Sequence, residues 1–132
     1  MSSILIIEDH ILFASTIKRI LTEHMGLHVV DMVQSGAEAL EKLPALQVDL
    51  ILVDVSLPGM NGIDLVQQIH SKFTHLRCLM LSGHMTSQYV DRALEVGACG
   101  YILKEDINGI LEGIPKVLNG EIYLSRCLRK NG

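Results

Sequence analysis

The chain has no surplus of basic residues: 11 lysines and arginines stand against 15 aspartates and glutamates, a formal charge of −4 over 132 residues. A nucleic-acid surface needs clustered positive charge, so DNA contact is not expected from this segment itself. Long hydrophobic runs are missing as well, and no stretch approaches the ~20 apolar residues of a membrane span. The first apolar run, Ile4–Ile7, is four residues long and has no basic segment before it, which argues against a signal peptide. Met1-Ser2-Ser3 lacks the glycine that myristoylation requires. Cysteine is scarce, at 78, 99 and 127. Odd in number and widely spaced, the three read as small reduced residues in or beside the core, not as a disulfide framework, and this predicts a cytoplasmic protein. There is no internal repeat and no low-complexity segment.

Apolar residues are plentiful, at 48% of the chain. That fraction and length predict a single folded domain with a proper core. Short continuous apolar runs alternate with longer stretches at helical spacing, the pattern of βα units around a parallel sheet buried on both faces. Five units are visible. Strands are predicted at about 4–7, 28–33, 50–53, 78–81 and 100–103. The first helix is expected to present Ile11, Leu12, Ser15, Ile17, Ile20 and Leu21 on one face. Ser35-Gly36-Ala37-Glu38 is a capping-box signal for the second helix, Gly97 a left-handed stop for the fourth, and Asp106 a cap for the last. The expected fold is α/β, a five-stranded parallel sheet, doubly wound and flavodoxin-like, in the order 2-1-3-4-5. Residues 1–120 form the domain, and residues 121–132 read as a short tail or the start of a linker.

In that order strands one and three flank the switch point where ligands bind outside the carboxyl ends of the strands. Strand one ends in Glu8-Asp9, strand three in Asp54, strand four in Ser82-Gly83 and strand five in Lys104. Three carboxylates on one edge repel and raise one another's pKa, which favours a bound cation. Oxygen-only donors suit a hard ion, so Glu8, Asp9, Asp54 and the backbone carbonyl of Ser56 are the candidate ligands for Mg2+, with Mn2+ also fitting. Lys104 is a mobile point charge able to pair with Asp54 or with a phosphoryl oxygen, and Ser82 offers a hydroxyl. The set suits phosphoryl transfer to the carboxylate of Asp54. Each residue alone has a plainer reading. Glu8-Asp9 is more often a solvated loop, Asp54 a cap, Lys104 part of a charge cluster with Glu105 and Asp106, Ser82 a turn residue and Tyr101 a half-buried strand aromatic. The six histidines show no ligand spacing, and His10 reads as the start of a helix.

Taken together, Glu8-Asp9, Asp54 followed by Leu57-Pro58-Gly59-Met60-Asn61-Gly62, Ser82-Gly83 and Tyr101-x-x-Lys104 resemble the receiver domain of two-component response regulators. The resemblance runs from about residue 4 to 118. Glu8-Asp9-His10, residues 100–105 and residues 119–125 are similar to the NarL/FixJ branch, whose members carry a LuxR-type helix-turn-helix. The resemblance implies that Asp54 takes phosphate from a sensor histidine kinase or phosphotransfer protein. It implies that Ser82 and Tyr101 are a switch pair, the hydroxyl moving toward the phosphoryl group and the ring turning inward. Output would lie on the face of the fourth helix, fifth strand and fifth helix, about residues 84–118. It further implies control of transcription through a DNA-binding domain outside these residues, with dimerisation on phosphorylation left open. Ser56 and His84 occupy positions that vary in the family and tune the lifetime of the acyl phosphate. In the NarL-like group a glutamate such as Glu105 stands where many receivers have proline, whereas Ala14, Ser15 and Thr16 depart from its usual arginine and glycine.

On this reading the protein is a signalling switch with self-catalysed phosphotransfer and slow self-dephosphorylation, not an enzyme with turnover. A stand-alone receiver or phosphorelay shuttle is the nearest alternative. A haloacid-dehalogenase-like phosphatase would need a second aspartate two residues after the first, and Ser56 is there. A flavin or nucleotide carrier would need glycines or hydroxyls in the first βα loop to cradle phosphate, and Glu8-Asp9-His10 presents negative charge.

Overall fold

The apolar strands assemble as a parallel sheet because their side chains alternate between two helical layers, each of which needs a flat apolar partner. The computed structural model describes residues 2–83 and 87–129. Its strands are β1 (Ser3–Ile7), β2 (His28–Val33), β3 (Leu50–Asp54), β4 (Arg77–Ser82), β5 (Gly100–Leu103) and β6 (Tyr123–Leu124), in the order β2-β1-β3-β4-β5-β6. All five pairings are parallel. The helices are α1 (Ile11–Arg19), α2 (Gly36–Lys42), α3 (Gly62–Lys72), α4 (Ser87–Glu95) and α5 (Ile107–Leu118). Leu5, Ile7, Ile51, Val53 and Met80 meet α2, α3 and α4 on one face. Ile4, Ile6, Leu50, Leu52, Leu79 and Ile102 meet α1 and α5 on the other.

Among the described residues the sheet has six strands, not the five expected. Tyr123-Leu124 is too short to show a period, and it pairs with β5 through Tyr123 N–H to Cys99 O at 3.1 Å and Ser125 N–H to Tyr101 O at 3.0 Å. Gly100 permits this approach, since a Cβ there would collide with the Tyr123 carbonyl. The segment read as a tail therefore adds a strand and then a 3-10 turn, Arg126–Leu128. The face of α1 also differs from expectation. Ala14, Ile17 and Leu21 are buried, whereas Ile11 and Leu12 are 63% and 78% exposed because they lie in the first turn, beyond the edge of the sheet. Beyond α1 the backbone widens to a π-helical turn, Ile20–His24, before Gly26 at φ +66° releases the chain into β2.

The caps follow the sequence closely. Ser35 Oγ accepts from Glu38 N–H at 3.2 Å, while Glu38 reaches back to the N–H of Gln34, one residue beyond the N-cap amide that a standard capping box uses. Asn61 caps α3 by accepting from Ile63 N–H at 2.7 Å, and Asp106 caps α5 by accepting from Gly109 N–H at 2.9 Å. Gly97 ends α4 at φ +107°. His84 lies outside the described residues.

The loop after β3 is drawn tightly back against its own strand. Gly62 N–H donates to Val55 O at 2.8 Å, and a Cβ on Gly62 would strike the carbonyl of Asp54. The colliding atom is backbone, so the loop must move to admit a side chain. Gly62→Ala is expected to cost about 1–3 kcal/mol in urea unfolding, the usual penalty of overpacking. Gly59→Ala, open around its Cβ but at φ +74°, should cost about 1–2 kcal/mol. No loss of stability in Gly62→Ala would contradict this account of the loop.

Candidate functional site

Sheet register carries the chemical side chains to one edge in steps. Ile7 is paired with Val53, so Glu8 and Asp54 are the next residues on adjacent strands. Asp54 is paired with Leu81, with Ser82 one residue further, and Ser82 is paired with Leu103, with Lys104 one residue further. The ladder also decides which carboxylate is buried. Glu8 N–H still donates to Val33 O at 2.9 Å, and its side chain turns inward, while Asp9 has left the strand and is exposed.

Glu8 and Asp54 are 3% and 4% exposed, and with Asp9 they place carboxylate oxygens within 4.8 Å of one another. Among the described residues one ammonium serves the two buried groups. Lys104 Nζ is 2.6 Å from Glu8 Oε1 and 3.3 Å from Asp54 Oδ1. Glu8 Oε2 accepts from His10 N–H at 3.0 Å, but Oε1 has no well-directed hydrogen bond among the described residues, for the ammonium approaches it closely and off axis. Ser56 N–H donates to Asp54 Oδ1 at 3.2 Å. Burial pushes the Glu8 carboxyl up to about 7, opposed by Lys104 and the His10 N–H and assisted by the charge of Asp54.

Ser82 and Tyr101 are fully buried. They share a side-chain hydrogen bond, and burial, partly offset by that bond, raises the Tyr101 phenol above its ordinary value. The ring is thus inward, not half-buried as its strand position suggested. The candidate residues of strands one, three, four and five therefore meet: Glu8, Asp9, Asp54 and Lys104 form one cluster, and Ser82 with Tyr101 form the adjoining pair. Ser56 is placed by its amide and by an antiparallel bridge to Asn61.

Sequence reasoning missed two residues. The ring of Phe13, on the first turn of α1, lies 4.9 Å from Lys104 Nζ, a cation–π distance. Phe13 was hidden because it stands beside the predicted apolar stripe, and only the approach of α1 to the sheet edge brings it over Lys104. Ser125 Oγ accepts from Leu103 N–H at 3.0 Å and donates to Asp106 Oδ2 at 2.7 Å, gripping the turn that carries Lys104 from both sides. Its only sequence signal was its place after Tyr123-Leu124.

The donor set fits a hard divalent cation: among the described residues three carboxylates stand against one ammonium and leave net negative charge, and all the side-chain donors are oxygen. Protons compete for the same site. With its folded pKa near 7 against an ordinary 4.5, Glu8 contributes stability that is fully present below about 4.5 and lost as pH rises through about 7. Cation affinity runs the other way. In calorimetric titrations Mg2+ should bind more weakly at about pH 6 than at about pH 8. Glu8→Gln should weaken binding at the higher pH and flatten that dependence, and a wild-type affinity unchanged across the range would contradict this.

Comparison with known proteins agrees with this geometry. The response regulator receiver domain matches residues 4–114. The transcriptional regulatory protein DegU of Brevibacillus brevis is 34% identical over 92% of this chain and 52% of its own length. The nitrate/nitrite response regulator NarL of Escherichia coli K12 is 30% identical over 96% of this chain and 59% of its own length. The chain thus spans between half and three fifths of these two relatives. Among solved structures, a LuxR-family two-component response regulator from Aurantimonas sp. SI85-9A1 superposes with a TM-score of 0.92 at 26% identity, covering 97% of this chain and 92% of that one. The receiver domain of NarL from Mycobacterium tuberculosis gives 0.84 at 30% identity, covering 91% and 98%. By residues, register and relatives alike, the chain belongs to the response-regulator receiver family, in its NarL/FixJ branch.

Proposed function

We propose that Asp54 is the phosphoacceptor of a two-component pathway, taking a phosphoryl group from a phosphohistidine on a sensor kinase or phosphotransfer protein. The observation that carries this reading is the position of Asp54, buried at a strand end with Lys104 Nζ 3.3 Å away and two further carboxylates beside it. A carboxylate so placed is held in one orientation, and Ser56 N–H occupies part of one oxygen, Oδ1. In the reaction an Asp54 oxygen forms a bond to phosphorus as the phosphorus–nitrogen bond of the donor breaks. The departing electron pair stays on the imidazole nitrogen, which takes a proton. Lys104 shifts from the carboxylates toward a phosphoryl oxygen, supplying positive charge where negative charge gathers.

Glu8, Asp9, Asp54 and the Ser56 carbonyl would hold Mg2+, or Mn2+, which supplies charge neutralisation for an anionic donor approaching an anionic edge. Hydrolysis reverses the modification: water attacks phosphorus, the bond to Asp54 breaks, and inorganic phosphate leaves. Ser56 stands where a phosphatase would need a second acid, so this step is slow and the chain is a switch, not a turnover enzyme.

Switching runs through Ser82 and Tyr101. Their hydrogen bond keeps the hydroxyl of Ser82 engaged with the ring; once a phosphoryl oxygen offers a charged acceptor, Ser82 turns toward it and the α4-β5-α5 face repacks. The family and the names of the relatives support a cytoplasmic regulator of transcription, with DNA reached through residues outside this chain.

Incubation with acetyl phosphate or phosphoramidate and Mg2+ should add one phosphoryl group by intact mass. A chelator or Asp54→Ala should abolish the addition, and Lys104→Ala should slow it about tenfold or more, the scale on which lost charge stabilisation acts. Phosphate monoesters should not turn over. Unchanged labelling of Asp54→Ala would defeat the assignment.

A further inference from the structure

Ser125 is where the chain leaves the sheet. Its N–H makes the last ladder bond of β6, to Tyr101 O at 3.0 Å. If the ladder continued, the next donor on β5, Leu103 N–H, would be met by the Ser125 carbonyl. That carbonyl instead accepts from Leu128 N–H at 2.9 Å and begins the 3-10 turn. The Ser125 hydroxyl takes over the ladder position, accepting from Leu103 N–H at 3.0 Å. Its own proton goes to Asp106 Oδ2 at 2.7 Å, and the other oxygen of Asp106 holds Gly109 N–H at the start of α5. Gly109 is a further constraint, because a Cβ there would strike the Asp106 carboxylate.

The resulting chain of bonds runs from Leu103 through Ser125 and Asp106 to Gly109, and it spans Lys104-Glu105, the only residues between its anchors Leu103 and Asp106. Ser125 is fully buried, so no solvent competes for the hydroxyl. Downstream the turn is tied to α5 as well. Tyr123 Oη donates to Glu112 Oε2 at 3.1 Å, Arg129 stacks over the Tyr123 ring at 5.1 Å, and Arg129 Nε donates to Leu124 O at 3.0 Å. One serine thus joins three things: the end of β5, the cap of α5 and the exit of the chain.

We propose that Ser125 is a positioning residue, a clasp that sets the height of Lys104 at the acidic edge and conveys movement of Lys104 to residues 126–129. The proposal rests on the phosphoacceptor reading for the source of that movement. A shift of Lys104 toward a phosphoryl group pulls on Leu103 and Asp106, and both pull on Ser125. The turn after β6 then senses the site directly, along a route separate from Ser82 and Tyr101.

The test is amide hydrogen exchange on the 132-residue chain with Mg2+, with and without beryllofluoride as phosphoryl mimic, in wild type, Ser125→Ala and Ser125→Thr. Beryllofluoride should change exchange at Leu128 and Arg129 about fivefold or more in wild type. The response should be lost in Ser125→Ala, although bound fluoride is still seen by 19F resonance, and kept in Ser125→Thr, which retains the hydroxyl. A full response in Ser125→Ala, or no response in the wild type with fluoride bound, would overturn the clasp. If wild type binds no beryllofluoride, the phosphoacceptor reading fails on its own. The clasp is then decided without ligand: Ser125→Ala must speed exchange at both Leu103 and Gly109 with Ser125→Thr restoring it, and unchanged exchange at either would overturn it.

Discussion

Among the described residues two buried carboxylates at one sheet edge share a single ammonium, and much else at this end of the molecule depends on that shortage. Glu8 and Asp54 are both almost fully withdrawn from water, yet Lys104 stands closer to Glu8 and off the axis of a good hydrogen bond. Burial of a charge is tolerated when a partner satisfies it and costly when the partner is divided. The edge therefore holds an unfilled demand for positive charge, which a proton on Glu8 meets at low pH and which its all-oxygen donor set would let a divalent cation meet at neutral pH. On the proposed phosphoacceptor reading, a phosphoryl group on Asp54 would move negative charge outward from the strand end and draw Lys104 with it.

The fold makes this arrangement hard to avoid. Parallel pairing fixes residue against residue, so Glu8 and Asp54 arrive together once Ile7 is opposite Val53, and Lys104 comes with the pairing of Ser82 and Leu103. Apolar strands buried on both faces resist slippage, since a slip of one residue would exchange the two helical layers. The glycines at 59 and 62 let the loop after Asp54 fold back on its own strand, and Ser125 holds the turn after Leu103 from beneath.

Much of this could be seen in the sequence because strand ends are marked sharply: an unbroken apolar run followed at once by an acid or a lysine leaves little doubt about where the strand stops. Asp54 after Leu50–Val53 is the clearest instance, and the caps at Ser35 and Asp106 are written in local chemistry. The features that stayed hidden depend on contacts between distant segments. Two residues of β6 carry no periodicity, and Gly100 shows its purpose only beside the Tyr123 carbonyl. Ile11 and Leu12 fit a helical stripe, but their exposure depends on where α1 starts relative to the sheet edge. Phe13 over Lys104 and the inward ring of Tyr101 are likewise consequences of packing, which spacing alone does not specify.

The edge carries more negative charge than Lys104 can balance. Urea unfolding of wild type and Asp54→Asn at about pH 8, each with and without Mg2+, measures this through the ordinary linkage of binding to stability. Without Mg2+ the asparagine variant should be the more stable, since Lys104 then serves Glu8 alone; with Mg2+ the wild type should gain far more and close or reverse the gap. A variant no more stable than wild type without Mg2+, together with equal gains on adding it, would contradict the claim.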